Sequence, residues 1–288
     1  MVSDAYVELR GLRFHYRERG NQGQPVVLLH GLASTSHIWD LTAPLLQKEY
    51  RVLALDQRGH GKSDKPEDGY DFASMTADVQ AFCRYQGLQR PVVIGHSWGA
   101  SVALEYAVAN PDEVLGLVMV DGGFMEMSGR MSWEEAEQRL APPQLDDMPL
   151  EEFLAMAQTW GGISEIWSPE VEHIVLANFE ISKQQTIHPR LRRANHMRIL
   201  RALWEQQTSQ LFQSLARPAL LAPARRQSQD EGEQRFLSVK LEAIERLQQS
   251  LNGRVQIQWM EDSIHDVPVQ RPQLLAGAIN GFIADLRA

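Results

Sequence analysis

The stretch from Arg90 to Ala109 constrains the fold more than any other part of this 288-residue chain. Pro91 is followed by Val92-Val93-Ile94, a β-branched run with no polar face, which predicts a strand covered on both sides. Ala100 to Ala109 is apolar at helical spacing and stops at Asn110-Pro111, where proline cannot continue a helix. Between them lies Gly95-His96-Ser97-Trp98-Gly99. The two glycines let strand and helix backbones pass closely while the central residue is held in a strained turn with its side chain thrown outward. Ser97 is therefore expected at the C-terminal end of a buried strand and at a helix N-terminus, where backbone N–H groups favour negative charge.

The alternation seen there recurs along the chain. Residues 5–20 alternate apolar and polar (Tyr6, Leu9, Leu12, Phe14, Tyr16), as in an opening antiparallel hairpin. Apolar strands are predicted at 25–29, 51–55, 114–120, 218–222 and 255–259, and helices at 39–46, 72–87, 231–250 and 273–286. Strands alternating with helices predict an α/β fold with a mostly parallel, doubly wound sheet. Residues 124–214 break the pattern. They carry helical periodicity and large side chains (Phe124, Met125, Trp133, Trp160, Trp167) but no convincing apolar strand. They are expected to form a helical insertion, a lid, at the sheet edge where ligands bind in such folds. The chain then divides into a core of 1–123 plus 215–288 and a cap of 124–214, and 43% hydrophobic residues suffice for both.

With 37 acidic against 28 basic residues the net charge is −9, which argues against nucleic acid or an anionic membrane surface as the main partner; it says little about a small-molecule substrate, the partner expected here. The single cysteine, Cys83, excludes an internal disulfide framework and reads as a core residue among Val79, Phe82 and Leu88. No run of 18 apolar residues occurs, and Met1-Val2-Ser3-Asp4 has no charged or apolar leader character, so a cytoplasmic protein is expected. Metal-ligand spacing, a phosphate-binding glycine loop and a dinucleotide fingerprint are all missing from the sequence, and no cofactor or metal is expected. Oligomeric state leaves no signal.

Four motifs occur in order: His30-Gly31; Asp56-x-Arg58-Gly59-His60-Gly61-x-Ser63; Gly95-x-Ser97-x-Gly99; and a histidine, His265, in Ser263-Ile264-His265-Asp266-Val267-Pro268 after the last strand. Together they resemble the α/β-hydrolase fold family, specifically its serine-nucleophile branch with a helical cap, over nearly the whole chain. The resemblance implies that Ser97 is a nucleophile activated by His265 as general base, with an oxyanion hole made by the backbone N–H groups of Trp98 and Leu32. His30, His60 and His96 lie in tight turns and are expected to bond backbone, while Asp56, Arg58 and Asp64 are expected to tie loops together. His37, His173, His188 and His196 show no partner pattern and are expected at the surface, although those in 124–214 could touch substrate, and His15, in the opening hairpin, is uninformative.

The acid departs from the commonest pattern. Its usual place, after the strand beginning at Pro218, falls about Arg226, which cannot accept a hydrogen bond. Asp121, followed by two glycines at the end of the preceding strand, is the first choice. Asp230 is the alternative, with a helix cap as its structural reading, and Glu231 stands third. Asp266 adjoins the histidine too closely in sequence to orient its ring.

A serine at 97 argues against family members that alkylate an aspartate on the enzyme, such as haloalkane dehalogenases and epoxide hydrolases. It fits attack on an acyl carbon, hence hydrolysis of a small or medium, apolar carboxylic ester, with lactone or thioester cleavage also open. C–C bond hydrolysis of diketone ring-cleavage products would use Arg192, Arg193 and His196 to hold a second carboxylate. A ligand-binding receptor with little turnover is a further alternative. Phe124, Met125, Trp160 and His196 are the candidate substrate contacts, and for the large apolar ones the competing reading is the cap's own core.

Overall fold

A computed structural model describes residues 2–228, 230–250 and 254–287. In chain order come β1 (Ser3–Leu9), β2 (Leu12–Arg19), β3 (Gln24–Leu29), a 3-10 turn at Ser36–Trp39, α1 (Ala43–Leu46), β4 (Tyr50–Leu55), α2 (Phe72–Tyr85), β5 (Val92–His96), α3 (Trp98–Ala109) and β6 (Gly116–Val120). The next segment holds α4 (Trp133–Leu140), β7 (Met148–Pro149), α5 (Leu150–Ala157), α6 (Pro169–Leu176), β8 (Phe179–Ile181), β9 (Thr186–Pro189), α7 (Arg193–Glu205) and α8 (Thr208–Ser214). The chain then returns as β10 (Ala219–Ala222), β11 (Ala224–Arg225), α9 (Glu231–Ser250), β12 (Val255–Ile257), β13 (Met260–Glu261), α10 (Val267–Gln270) and α11 (Pro272–Asp285).

Eight strands form the main sheet in the order β1-β2-β4-β3-β5-β6-β10-β12. The pairs β1–β2 and β2–β4 are antiparallel, and every pair from β4 to β12 is parallel. Parallel pairing requires crossovers that cover both faces, and the core divides accordingly. Val27, Leu29, Val93, Leu117, Met119 and Leu221 face a cluster shared with α2, α3 and α9. Their chain neighbours Val26, Leu28, Val92, Val118, Val120 and Leu220 face the opposite cluster with α11. The strict two-residue alternation between clusters is the strand period itself, with both sides apolar. Among the described residues no helix is long and apolar enough to cross a membrane.

Three local expectations differ from the structure. The helix expected over 39–46 is split into the 3-10 turn and α1, because Pro44 has no N–H to bond the carbonyl four residues earlier. Residues 124–214 contain a small antiparallel sheet, β7-β9-β8, beside five helices. Its strands are two to four residues long, too short for an alternation to register in sequence. The last strand stops at Ile257, and the chain then pairs β13 with β11 in a separate two-stranded ribbon. That ribbon carries the chain past the end of the sheet toward His265.

Candidate active site

Ser97 stands between β5 and α3 with φ 53° and ψ −123°, a conformation L-residues avoid. Its surroundings enforce it: the Ser97 N–H donates to the Val120 carbonyl at 2.9 Å, and the Ala100 N–H donates to the Ser97 carbonyl at 3.0 Å. A Cβ at Gly95 would lie 2.1 Å from the Gly99 carbonyl oxygen, so the close pass of strand and helix admits only glycine there. Non-glycine residues held at positive φ gather where function concentrates, and Asp121, one strand over at the end of β6, is another at 44°.

The Asp121 carboxylate is buried and makes three hydrogen bonds. Oδ2 accepts from His265 Nδ1 at 2.7 Å, while Oδ1 accepts from Lys240 Nζ at 2.6 Å and from the Ala224 N–H at 2.9 Å. Burial acts to raise its pKa, but the hydrogen bond and charge of His265, with the charge of Lys240, override that and bring it down to about 2. For His265, loss of surrounding water acts to lower the pKa. The hydrogen bond and charge of Asp121, with help from Asp266, override it and raise the pKa above the ordinary histidine value, against the pull of Lys240. The His265 side chain is half-exposed, as a base that must meet substrate requires.

His265 is tied to the elbow through the residue before Ser97. The ring of His96 lies 4.8 Å from that of His265, and His96 Nε2 donates to the His265 carbonyl at 2.9 Å. Burial, then the neighbouring His265, push the His96 pKa down to about 4. Neutral His96 thus joins the end of β5 to the loop carrying His265.

The loop after β3 passes against the same serine: a Cβ on Gly31 would lie 3.1 Å from Ser97 Cβ. Leu32 follows directly in that loop. Two buried histidines hold it, His30 Nε2 accepting from the Gln57 N–H at 3.0 Å and His60 Nε2 from the Ala33 N–H at 3.2 Å. Burial lowers the pKa of both rings, which keeps those nitrogens free to accept. Trp98 is buried and stacks on His60 at 5.2 Å. Asp56 accepts from the Ser36 and Lys62 N–H groups and from His15 Nδ1, while Arg58 is held by Asp78 at 2.5 and 2.8 Å. These groups fasten loops.

The other candidates fall elsewhere. Asp230 Oδ1 accepts the Glu233 N–H at 2.9 Å and so caps the first turn of α9, where Glu231 also lies. Arg226 bridges Glu165 and Glu233, and Asp266 stands at the N-cap of α10. Phe124 and Met125 pack with the cluster under α3, whereas Trp160 packs with the opposite cluster, edge-on to Phe153 at 5.7 Å. His196 is nearly buried, and burial with the charge of Arg193 pushes its pKa to about 4. The Arg193 guanidinium is turned to the Pro142 carbonyl, and Arg192 sits at the N-cap of α7. His37 and Asp40, three residues apart, and the distant His173 bring ligand atoms within 4.8 Å of one another, but the Arg17 guanidinium already pairs with Asp40 and lies 3.2 Å from His37 Nδ1.

A family model described as alpha/beta hydrolase fold matches residues 24–163. The crystal structure of E-2-(acetamidomethylene)succinate hydrolase superposes with a TM-score of 0.79 at 21% identity, covering 99% of this chain and 100% of that one. The chain has the α/β-hydrolase fold. Within that fold, the soluble epoxide hydrolase of Corynebacterium sp. (strain C12) is 40% identical over 113 residues, 39% of each chain. The fluoroacetate dehalogenase of Burkholderia sp. is 36% identical over 107 residues, 35% of each chain. The match thus spans well under half the length of these curated relatives. Two buried residues beside these carboxylates carry no motif in the sequence. His15 is fully buried against Asp56, and Lys240 is buried against Asp121.

Proposed function

We propose that this protein is a serine hydrolase that cleaves a small or medium, apolar carboxylic ester through an acyl-enzyme. One observation carries the reading: the strained serine at the tip of β5 directly follows His96, whose ring packs on and bonds to a histidine whose own Nδ1 is held by a buried carboxylate. Asp121 Oδ2 can only accept, so the Nδ1 proton stays between the two groups and Nε2 is left as the base. In the proposed cycle His265 Nε2 takes the Ser97 hydroxyl proton as Oγ attacks the ester carbon. The N–H groups of Leu32 and Trp98 receive the oxyanion, and His265 returns its proton to the departing alkoxide. Water then cleaves the acyl-enzyme by the same steps in reverse roles. Residues 124–214 serve as the cap over a core made of 1–123 and 215–288, and closing them would exclude water from the ester.

The curated relatives are named for epoxide and carbon–halogen substrates. Displacement at saturated carbon by an enzyme nucleophile calls for a carboxylate where this chain has the Ser97 hydroxyl, which favours the acyl carbon. A fluorophosphonate probe is expected to label Ser97, and the protein is expected to turn over short p-nitrophenyl esters. Ser97→Ala should lose both. Full esterase activity in Ser97→Ala would refute the mechanism, and absence of both labelling and turnover across a panel of esters and lactones of graded chain length would leave a binding protein instead.

A further inference from the structure

α9 buries Lys240, Ala243, Ile244 and Leu247, a stripe spaced as one helix face, and the first member of that stripe is a lysine. Long cationic side chains at such positions ordinarily run their stems outward and keep the charge in water. Lys240 does the opposite. Its side chain is 6% exposed, and Nζ reaches Asp121 Oδ1 at 2.6 Å and the Ala224 carbonyl at 2.8 Å. An ammonium is taken out of water only where its partners are well placed, and this partner is the carboxylate whose other oxygen holds His265.

We propose that Lys240 is a positioning residue for the His265–Asp121 pair, fixing the carboxylate plane and limiting how strongly Asp121 stabilises the protonated ring. Its kinetic consequence rests on the serine-hydrolase reading above, but its effect on His265 does not. The geometry supplies the first half. Oδ1 is held by two donors, Lys240 Nζ and the Ala224 N–H, which leaves Oδ2 aimed at the imidazole. Charge supplies the second. One carboxylate stands between two cationic groups, so the share of its field spent on Lys240 is not available to the imidazolium. Among the described residues, His96 and Asp266 also act on the ring. A cavity of about 330 Å³ borders Lys240, Asp121 and His265 and brings Arg225, Arg226 and Glu233 nearby. Arg225 is paired with Glu261, and Arg226 with Glu165 and Glu233, so Asp121 is the carboxylate that meets Lys240.

The test follows the His265 ring by NMR in histidine-labelled full-length protein, comparing wild type with Lys240→Met, Lys240→Gln and Lys240→Arg. Removing the charge should move the His265 titration midpoint upward by roughly half a pH unit or more, and Lys240→Arg should restore it. The acid limb of kcat/KM should move by the same amount. A midpoint unchanged in folded Lys240→Met and Lys240→Gln would overturn the proposal. Should the neutral variants not fold, the wild-type Lys240 ammonium resonance decides: it is expected to be protected from exchange and to shift with the His265 midpoint, and indifference to that titration overturns the idea. A protein that shows the NMR shift yet is neither labelled nor active on esters would retain this inference and lose the serine-hydrolase reading.

Discussion

The sharpest perturbation is Asp121→Asn, because the hydrogen bonds around the carboxylate dictate which way an amide would lie. Oδ1 is approached by two donors, Lys240 Nζ at 2.6 Å and the Ala224 N–H at 2.9 Å, so the amide oxygen must take that position. Its NH2 group is then left facing His265 Nδ1, where Oδ2 now accepts at 2.7 Å. An amide donor there forces Nδ1 to accept and places the ring proton on Nε2, the nitrogen that must be bare to act as base. The wrong tautomer costs about 10⁴ in kcat in serine proteases, equivalent to about 5 kcal/mol of transition-state stabilisation. The variant also leaves a buried ammonium without its counter-charge, so thermal unfolding must be measured beside activity. Steady-state turnover of a p-nitrophenyl ester, with fluorophosphonate labelling rates as a second readout, supplies the assay. A fall of less than about tenfold in a folded Asp121→Asn protein would refute the assignment of Asp121 as the acid and the tautomer argument with it.

Further outcomes are expected. Asp230→Ala should lose about 1 kcal/mol of stability, as for a helix cap, with kcat unchanged in the same ester assay. Gly31→Ala puts a methyl group 3.1 Å from Ser97 Cβ, and the few tenths of an ångström by which the Leu32 loop must retreat should lower kcat by about tenfold, with KM little changed. Asp78→Ala removes the partner of the buried Arg58 guanidinium and should cost about 3–5 kcal/mol by denaturant unfolding. With pH, activity should fall on the acid side as His265 protonates, at a midpoint above the ordinary histidine value. Stability runs the other way there. A histidine raised in the folded state contributes fully below its unfolded pKa, and that contribution is lost as pH rises through the folded value. At the acid end, ionised Asp121 contributes above about pH 4, and about 2–3 kcal/mol is lost as pH falls toward 2. The two effects are one ion pair seen from either partner and do not add.

What the sequence carried of this site is set by the range of the constraint. Ser97 was legible because the strand, the strained turn and the helix are adjacent in the chain, and glycine is the only residue that lets their backbones pass at Gly95. The Asp121 assignment drew on a local cue too, the two glycines after an apolar strand, together with an arginine at the usual place of the acid. Lys240 was not found, although a cue existed: it shares the stripe of Ala243, Ile244 and Leu247. Helix periodicity alone assigns a lysine to the wet face, and the carboxylate that overrules it lies 119 residues away. His15 failed for the same reason, its partner Asp56 being 41 residues off. Within 124–214, apolar spacing pointed to large apolar side chains but not to their neighbours: Phe124 is buried in the cluster under α3, and the partly buried Trp160 packs against the opposite one.

The two departures of this chain are connected. With the proposed acid Asp121 at the end of β6, the carboxylate lies at the junction of β6 and β10, close to the Ala224 amide and below the inner face of α9, whose Ile244 and Leu247 pack on that side of the sheet. A residue on that inner face, two turns into the helix, is within reach of the carboxylate, and Lys240 is that residue. The loop after β10, relieved of the acid, holds Arg226, which links Glu165 in the 124–214 segment to Glu233 on α9. On the proposed assignment, a carboxylate placed one strand back is accompanied both by a buried lysine beside it and by an arginine at the position expected for the acid.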